Sequence, residues 1–90
     1  MILVGIDIGK NSHYFAAVRK EDGEVIHEPA KISNDHRGFD QLITCIRKYQ
    51  KQNILIGMED TGHYHFPLLK FFLDKGYTVA LINPVTTDLT

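Results

Sequence analysis

The sequence has little of three features that would each define a class of protein. It contains a single cysteine, Cys45, so no disulfide can form within the chain, which suits a reducing cytosol. No stretch reaches the ~20 apolar residues of a membrane span, and residues 1 to 20 do not resemble a secretory signal. Ten basic and eleven acidic residues leave a formal charge of −1, so no overall positive field attracts nucleic acid. We therefore expect a cytoplasmic protein without membrane contact.

The apolar segments predict one small α/β domain over residues 1–90, because 43% of the residues are hydrophobic and no linker divides the chain. Three continuous apolar runs are typical of buried strands, and we expect both faces of their sheet to be covered. The dipeptide Asp22-Gly23 predicts a hairpin. Pro29, within the third strand, fits an edge strand or a bulge and not the centre of a sheet. The predicted strands span residues 2–7, 13–20, 25–32, 53–58 and 77–82.

Two helices are predicted between the later strands. The residues "SND" at 33–35 offer helix N-caps, and apolar residues at helical spacing indicate a helix of about 15 residues after them. Pro67 is placed like a first-turn proline, and Gly76 ends this second helix. The resulting order is β-β-β-α-β-α-β, with a right-handed parallel crossover in its last unit. We expect a buried core that includes Leu3, Ile6, Phe39, Ile43, Ile46, Leu55, Leu69, Phe72, Val79 and Leu81.

Two acidic residues follow predicted parallel strands. Asp7 ends the first strand among apolar neighbours, so we expect it to be enclosed, and Glu59 ends the strand at 53–58. Ligands of open α/β sheets bind at the carboxyl ends of parallel strands. If the two strands are neighbours, a bridging Mg²⁺ or Mn²⁺ would relieve the repulsion between the carboxylates. Acids at strand ends also serve as caps and turn formers, and Asp60 is an alternative ligand to Glu59.

The neighbouring polar residues admit two interpretations each. Thr61 caps the following helix or contacts a substrate, and Tyr64 stacks on a base or packs on that helix. Lys10 meets a phosphate or lies free in solvent. His63 and His65 are metal ligands on an extended segment or solvated loop residues, whereas His13, at the start of a strand, has a structural role.

The sequence resembles the N-terminal part of the DEDD transposases of bacterial insertion sequences, which are related to the Piv-type DNA invertases. The resemblance is carried by "GIDIGK", "MEDTGHY" and "INP", which occur in the family's order along almost the whole chain. It implies a RuvC-like, ribonuclease-H-like mixed sheet with strand order 3-2-1-4-5. It also implies an Asp-Glu-Asp-Asp tetrad that binds divalent metal, as two ions in the complete site, and that cuts and joins DNA strands. Asp7 matches the first acid and Glu59 the second.

The same resemblance implies a longer protein than these residues. The family's third and fourth acids lie beyond "INP", so we expect residues 1–90 to be part of a bacterial transposase domain and to be inactive alone. The family's partners are DNA and, in some members, a guide RNA, and a bare sheet face would favour a homo-oligomer.

Two alternatives come from other functional classes. Sugar kinases and actin-like ATPases also begin "GIDIG", but here "GKNS" replaces the small hydroxyl residues that approach ATP phosphates, and "EDTGHY" has no counterpart. The other alternative is a non-catalytic oligomerisation module.

Overall fold

The computed structural model of the chain describes residues 1–59 and 62–82, which form one five-stranded sheet and two α-helices. In chain order the elements are β1 (Ile2–Asp7), β2 (Ser12–Arg19), β3 (Val25–Ser33), α1 (His36–Ile46), β4 (Ile54–Glu59), α2 (Phe66–Asp74) and β5 (Thr78–Ile82). The strand order is β3-β2-β1-β4-β5, as predicted. A short 3₁₀ turn, Lys51–Asn53, precedes β4.

The central strand β1 joins the antiparallel and parallel halves of the sheet. It pairs antiparallel with β2, from Ile2 opposite Arg19 to Asp7 opposite Tyr14. On its other side it pairs parallel with β4, and β4 pairs parallel with β5. The carboxyl ends of β1, β4 and β5 therefore meet at one edge of the sheet.

The β2–β3 hairpin turns where the sequence predicts it. Gly23 has a φ of 73°, a left-handed conformation that glycine adopts without steric cost. The Glu24 N–H donates to Asp22 Oδ1 at 3.0 Å. Pro29 lies exposed in β3, which is an edge strand. Proline has no backbone N–H, and on an edge strand this donor is not needed for pairing with a further strand.

Helix α1 begins at the predicted cap and is shorter than predicted. Asp35 Oδ1 accepts a hydrogen bond from the Gly38 N–H at 3.0 Å, and the Ser33 hydroxyl donates to the same oxygen at 2.7 Å. These two bonds, the Ser33 hydroxyl first, lower the pKa of Asp35. The helix has 11 residues because the chain tightens after Ile46, whose carbonyl accepts from the Tyr49 N–H at 3.0 Å.

Helix α2 has the predicted boundaries. Pro67 lies in its first turn, where no intrahelical N–H donor is needed. At the other end the Tyr77 N–H donates to Phe72 O and the Gly76 N–H donates to Leu73 O, both at 3.0 Å. With Gly76 at a φ of 85°, these bonds form a Schellman motif. The motif turns the chain directly from α2 towards β5.

The core lies on one face of the sheet. Residues in β1 alternate between buried and more exposed, and both helices bury their apolar faces in the same cluster. In the described part of the chain, the prediction that both sheet faces are covered is therefore wrong. The core comprises Ile2, Val4, Ile6, Phe15, Ala17, Ile32, Phe39, Leu42, Ile46, Ile54, Ile56, Met58, Leu68, Phe71, Phe72 and Tyr77.

The predicted core residues fall into three groups. Ile6, Phe39, Ile46 and Phe72 are buried. Leu81 is 45% exposed, so its predicted burial is wrong, because it lies at the end of an edge strand. The partly buried group comprises Leu3, Ile43, Leu55, Leu69 and Val79. Within residues 1–59 and 62–82, neither helix has the length and apolar character that a membrane crossing requires.

Candidate functional site

Asp7 and Glu59 lie at matching positions on adjacent strands. Ile6 of β1 pairs with Met58 of β4, and each acid is the next residue along its strand. Neighbouring strands are ~4.8 Å apart, and residues at matching positions point to the same face of the sheet. The strands are thus adjacent and parallel, as the sequence predicts. The role of the two acids as metal ligands stays a prediction.

The two carboxylates line a concave surface on the open face of the sheet. Its volume is about 410 Å³. The paired glycines Gly5 and Gly57 form its floor, and Tyr14, opposite Asp7 in the ladder, is 51% exposed beside it. A Cβ added at Gly5 would meet nothing within 4 Å. The described residues therefore do not require a glycine at this position for packing, and its missing side chain leaves open space next to the acids.

The acids are exposed and available to a ligand. The sequence predicts an enclosed Asp7, but the open sheet face leaves both Asp7 and Glu59 exposed, so that prediction is wrong. Among residues 1–59 and 62–82, neither carboxylate makes a side-chain hydrogen bond or an ion pair. Carboxylate oxygens are the donors that Mg²⁺ and Mn²⁺ prefer, so the residues fit such a metal. In the same part of the chain no group of three metal-binding side chains occurs. The pair offers only part of a coordination shell.

The other predicted site residues divide between two loops. Lys10 is exposed in the turn between β1 and β2, and Tyr64 is 46% exposed in the loop before α2. Their backbone carbonyls accept hydrogen bonds from the same amide, Asn34 Nδ2, at 3.1 Å and 3.3 Å. Asp60 and Thr61 lie outside the described residues, as does the "NP" of the third motif.

The two loop histidines occupy different environments. His63 is exposed and stacks on the Phe66 ring at a centroid distance of 5.4 Å. His65 is buried at the start of α2. The segment is a turn, so the extended geometry that would point both rings the same way is absent from it. The alternative in which His63 and His65 are metal ligands is therefore not supported, and the alternative in which both are solvated loop residues holds for His63 and is wrong for the buried His65.

Two further polar residues lie near the acids: His13, whose predicted structural role agrees with its burial, and Asn34, which emerges only from the structure. His13 is fully buried, and its Nδ1 accepts a hydrogen bond from the Gly9 N–H at 3.1 Å. Burial lowers the pKa of His13, against the opposing effects of the Asn34 side chain and the Asp7 charge. Asn34 lies next to the helix cap Asp35 and binds both loops. Nothing in the sequence pattern distinguishes Asn34 from an ordinary residue of a helix cap.

The fold is that of RuvC-like resolvases. RuvC of T. thermophilus, solved with a Holliday junction substrate, superimposes with a TM-score of 0.67 at 9% identity, over 94% of this chain and 66% of that chain. The fowlpox virus Holliday junction resolvase superimposes with a TM-score of 0.60 at 17% identity, over 93% of this chain and 62% of that chain. This chain therefore spans just under two thirds of the length of these relatives. At such low sequence identities, the structural similarity establishes the fold alone.

The sequence comparison is more specific. No curated protein matches the chain. A family of transposases, the DEDD transposases of the IS110 type, matches residues 4–89. The match includes both acids and nearly the whole sequence, as the resemblance in the motifs predicts. The chain therefore belongs to the DEDD transposase family of the IS110 type.

Proposed function

We propose that this chain supplies the first two acids of a metal-dependent site that cuts and joins DNA strands in transposition. The observation that carries the proposal is the register of Asp7 and Glu59 at the ends of adjacent parallel strands. The transposase family and the RuvC-like fold support DNA cleavage or joining. The choice of metal, the tetrad and the transposition reaction are parts of the proposal.

Asp7 and Glu59 would hold Mg²⁺ or Mn²⁺ in this site. When bound, such ions make a potent nucleophile from water and stabilise the leaving oxygen of a phosphodiester. Asp7 is the proposed bridging ligand because it lies on the central strand, which is paired on both sides. Glu59 is the proposed ligand of one ion. Two carboxylates leave most of an octahedral shell to other donors, so the complete site needs the family's remaining acids.

The substrate would approach over the open face of the sheet. The floor at Gly5 and Gly57 lets a backbone come close to the acids. Lys10 is placed to contact a phosphate, and the exposed ring of Tyr64 is placed to stack on a base. We also propose that Asp60 and Thr61 contact the metal or the substrate, because they follow Glu59 in the "MEDTGHY" motif. The two similar resolvases act on Holliday junctions, so a branched DNA is a suitable first substrate to test.

DNA affinity must come largely from the rest of the assembly. A formal charge of −1 gives this chain little attraction for a polyanion, so its own DNA binding should vanish at moderate salt. We propose that the full-length protein binds transposon ends and target DNA as a homo-oligomer in the bacterial cytoplasm. A guide RNA is a further partner to test.

The test compares metal-dependent nicking of a supercoiled plasmid by this chain and by a protein extended through the next Asp-rich segment of its gene. We expect the extended protein to cut and the 90-residue chain to be inactive. Asp7→Asn and Glu59→Gln in the extended protein should abolish cutting. Asp40→Asn, which removes an exposed acid on α1, is the matched control and should cut normally.

Two outcomes would contradict the proposal. If the 90-residue chain cuts as fast as the extended protein, and Asp7→Asn abolishes that cutting, the site is complete without the other acids. If neither protein cuts but this chain is stabilised by ATP, the kinase-like alternative replaces the transposase site.

A further inference from the structure

His13 lies directly beneath the turn that follows Asp7. It is the second residue of β2 and is fully buried, with its ring stacked on Phe39 of α1 at a centroid distance of 6.4 Å and an interplanar angle of 17°. Its Nδ1 accepts the hydrogen bond from the Gly9 N–H. A neutral imidazole that accepts at Nδ1 carries its proton at Nε2. The ring is therefore held by two contacts, and its Nε2–H is buried.

The turn is tightly packed at Gly9. A Cβ at this position would overlap the Ser12 carbonyl, so the backbone of the turn folds tightly over the start of β2. Gly9 is two residues beyond Asp7 and immediately before Lys10. The His13 ring thus sets the position of the backbone that connects these two side chains.

Asn34 connects the same turn to the loop that follows β4. Its backbone N–H donates to Asn11 O at 3.0 Å, and its Nδ2 donates to the carbonyls of Lys10 and Tyr64. Lys10 and Tyr64 belong to loops that leave the sheet beside Asp7 and Glu59 respectively. One side chain therefore holds both loops at the edge where the acids meet.

The remaining polar atoms of His13 and Asn34 are complementary. His13 Nε2 and Asn34 Oδ1 are both buried, and within the described residues neither has a hydrogen-bond partner at normal geometry. One is a donor and the other an acceptor, and the Asn34 side chain raises the pKa of His13 against the lowering that burial causes. Buried polar atoms without partners are costly, so a pairing of these two atoms is favoured.

We propose that His13 and Asn34 form a positioning pair, joined by a hydrogen bond from Nε2 to Oδ1, that fixes the Lys10 turn and the Tyr64 loop relative to the two acids. Neither residue touches the substrate. The pair acts through the backbone of the two loops, so it deepens the proposed function and rests on it. As a consequence, the distance between the Lys10 and Tyr64 backbones, on either side of the two acids, stays fixed.

The experiment measures loop order and metal binding separately, by NMR on the 90-residue chain. In Asn34→Ala, we expect lower ¹H–¹⁵N order parameters for residues 9–11 and 62–65, with the slow exchange of core amides such as Ile56 retained. In His13→Ala, the Gly9 amide hydrogen should exchange with solvent roughly five- to tenfold faster, because the hydrogen bond from Gly9 N–H to His13 Nδ1 is lost. Asn34→Asp keeps an oxygen for His13 and removes the Nδ2 donor to both carbonyls, so it should lower the order parameters at Lys10 and Tyr64 while the Gly9 amide stays protected. Asn53→Ala, at the opposite end of β4, is the matched control and should change none of these readouts.

Metal binding distinguishes the two possible failures. Line broadening by Mn²⁺ should affect Asp7, Gly9 and Tyr64 together in the unmodified chain, and Asn34→Ala should reduce it at Tyr64 alone. No broadening near Asp7 in either the unmodified chain or the extended protein would overturn the proposed function. Unchanged order at residues 62–65 in Asn34→Ala would overturn the positioning pair, as would loss of core protection to the same extent, since that would make the role merely structural.

Discussion

Gly38 in the first turn of α1 lies against the backbone of Ser33 at the end of β3. A Cβ added to Gly38 would stand 2.7 Å from Ser33 N and closer still to the Ser33 carbonyl oxygen. Backbone atoms cannot move aside as a flexible side chain would. This contact brings the N-terminus of α1 close to the end of β3, so that Ser33 and Asp35 together form its cap.

Gly38→Ala should destabilise the chain, although Gly→Ala within a helix ordinarily stabilises by about 0.5–1 kcal/mol. We expect a loss of about 1–3 kcal/mol in urea unfolding, since the helix must shift to relieve the overlap. Gly5→Ala is the control, because the added Cβ has open space. A stability of Gly38→Ala equal to or above that of the unmodified chain would show that the contact is looser than described.

Leu42→Ala should cost far more stability than Leu81→Ala. Leu42 is fully buried between α1 and the sheet, so its truncation should cost about 2–5 kcal/mol through lost transfer energy and a cavity. Leu81 is half exposed on the edge strand, and we expect a cost of about 1 kcal/mol or less. Urea unfolding of both variants measures the difference. A larger loss for Leu81→Ala would mean that this end of β5 is covered in solution.

Stability should fall as the pH falls below about 6.5, the ordinary pKa of histidine. Burial lowers the pKa of His13 in the folded chain, while Asn34 and the charge of Asp7 oppose the shift. The unfolded chain therefore binds this proton at a higher pH than the folded chain does, and protonation favours unfolding. The loss should extend from about pH 6.5 down to the folded pKa and then stop.

Urea unfolding at pH 7.5 and at pH 5 tests the contribution of His13. His13→Gln should show a smaller difference between the two pH values than the unmodified chain. His63→Gln is the matched control, because His63 is exposed, and it should retain the full difference. The same pH dependence in His13→Gln as in the unmodified chain would contradict the prediction.

Neutralising one acid should stabilise the metal-free chain. Asp7 and Glu59 lie at neighbouring positions without a described cationic partner, so their charges repel each other. Asp7→Asn should raise the melting temperature in a chelating buffer. If the proposed site binds metal, Mn²⁺ should stabilise the unmodified chain, and Asp7→Asn should remove that stabilisation. Asp40→Asn should do neither. A melting temperature for Asp7→Asn that still rises with Mn²⁺ would place the metal elsewhere.

The sequence could predict every strand because local patterns determine them. Continuous apolar runs indicate the buried strands β1, β4 and β5. Gly23 marks the β2–β3 turn, and Pro67 and Gly76 mark the two ends of α2, because of their backbone conformations. The sequence could not predict which faces of the sheet are covered. An apolar run indicates that a strand can be buried, but it does not indicate which elements pack on it. Leu81 and the open face beside Asp7 are the two places where this mattered.

The site could be predicted in part for the same reason. Asp7 and Glu59 stand out because each ends an apolar strand, and strand order then brings them together. His13 and Asn34 gave no comparable signal. Their importance comes from contacts between the turn after β1, the start of α1 and the loop before α2, and such contacts exist only once the chain is folded.

The parallel pairing of β1 with β4 also has a consequence for folding kinetics. About 50 residues separate Ile2 from its ladder partner Ile54, whereas β1, β2 and β3 are joined by short turns. Local hairpins close quickly, and pairing between distant segments follows only after a larger loss of chain entropy. We therefore expect the antiparallel half to form first, with one edge of β1 open until β4 docks. Asp7 and Glu59 come together in that docking step, so the proposed metal site forms only once β4 has paired with β1.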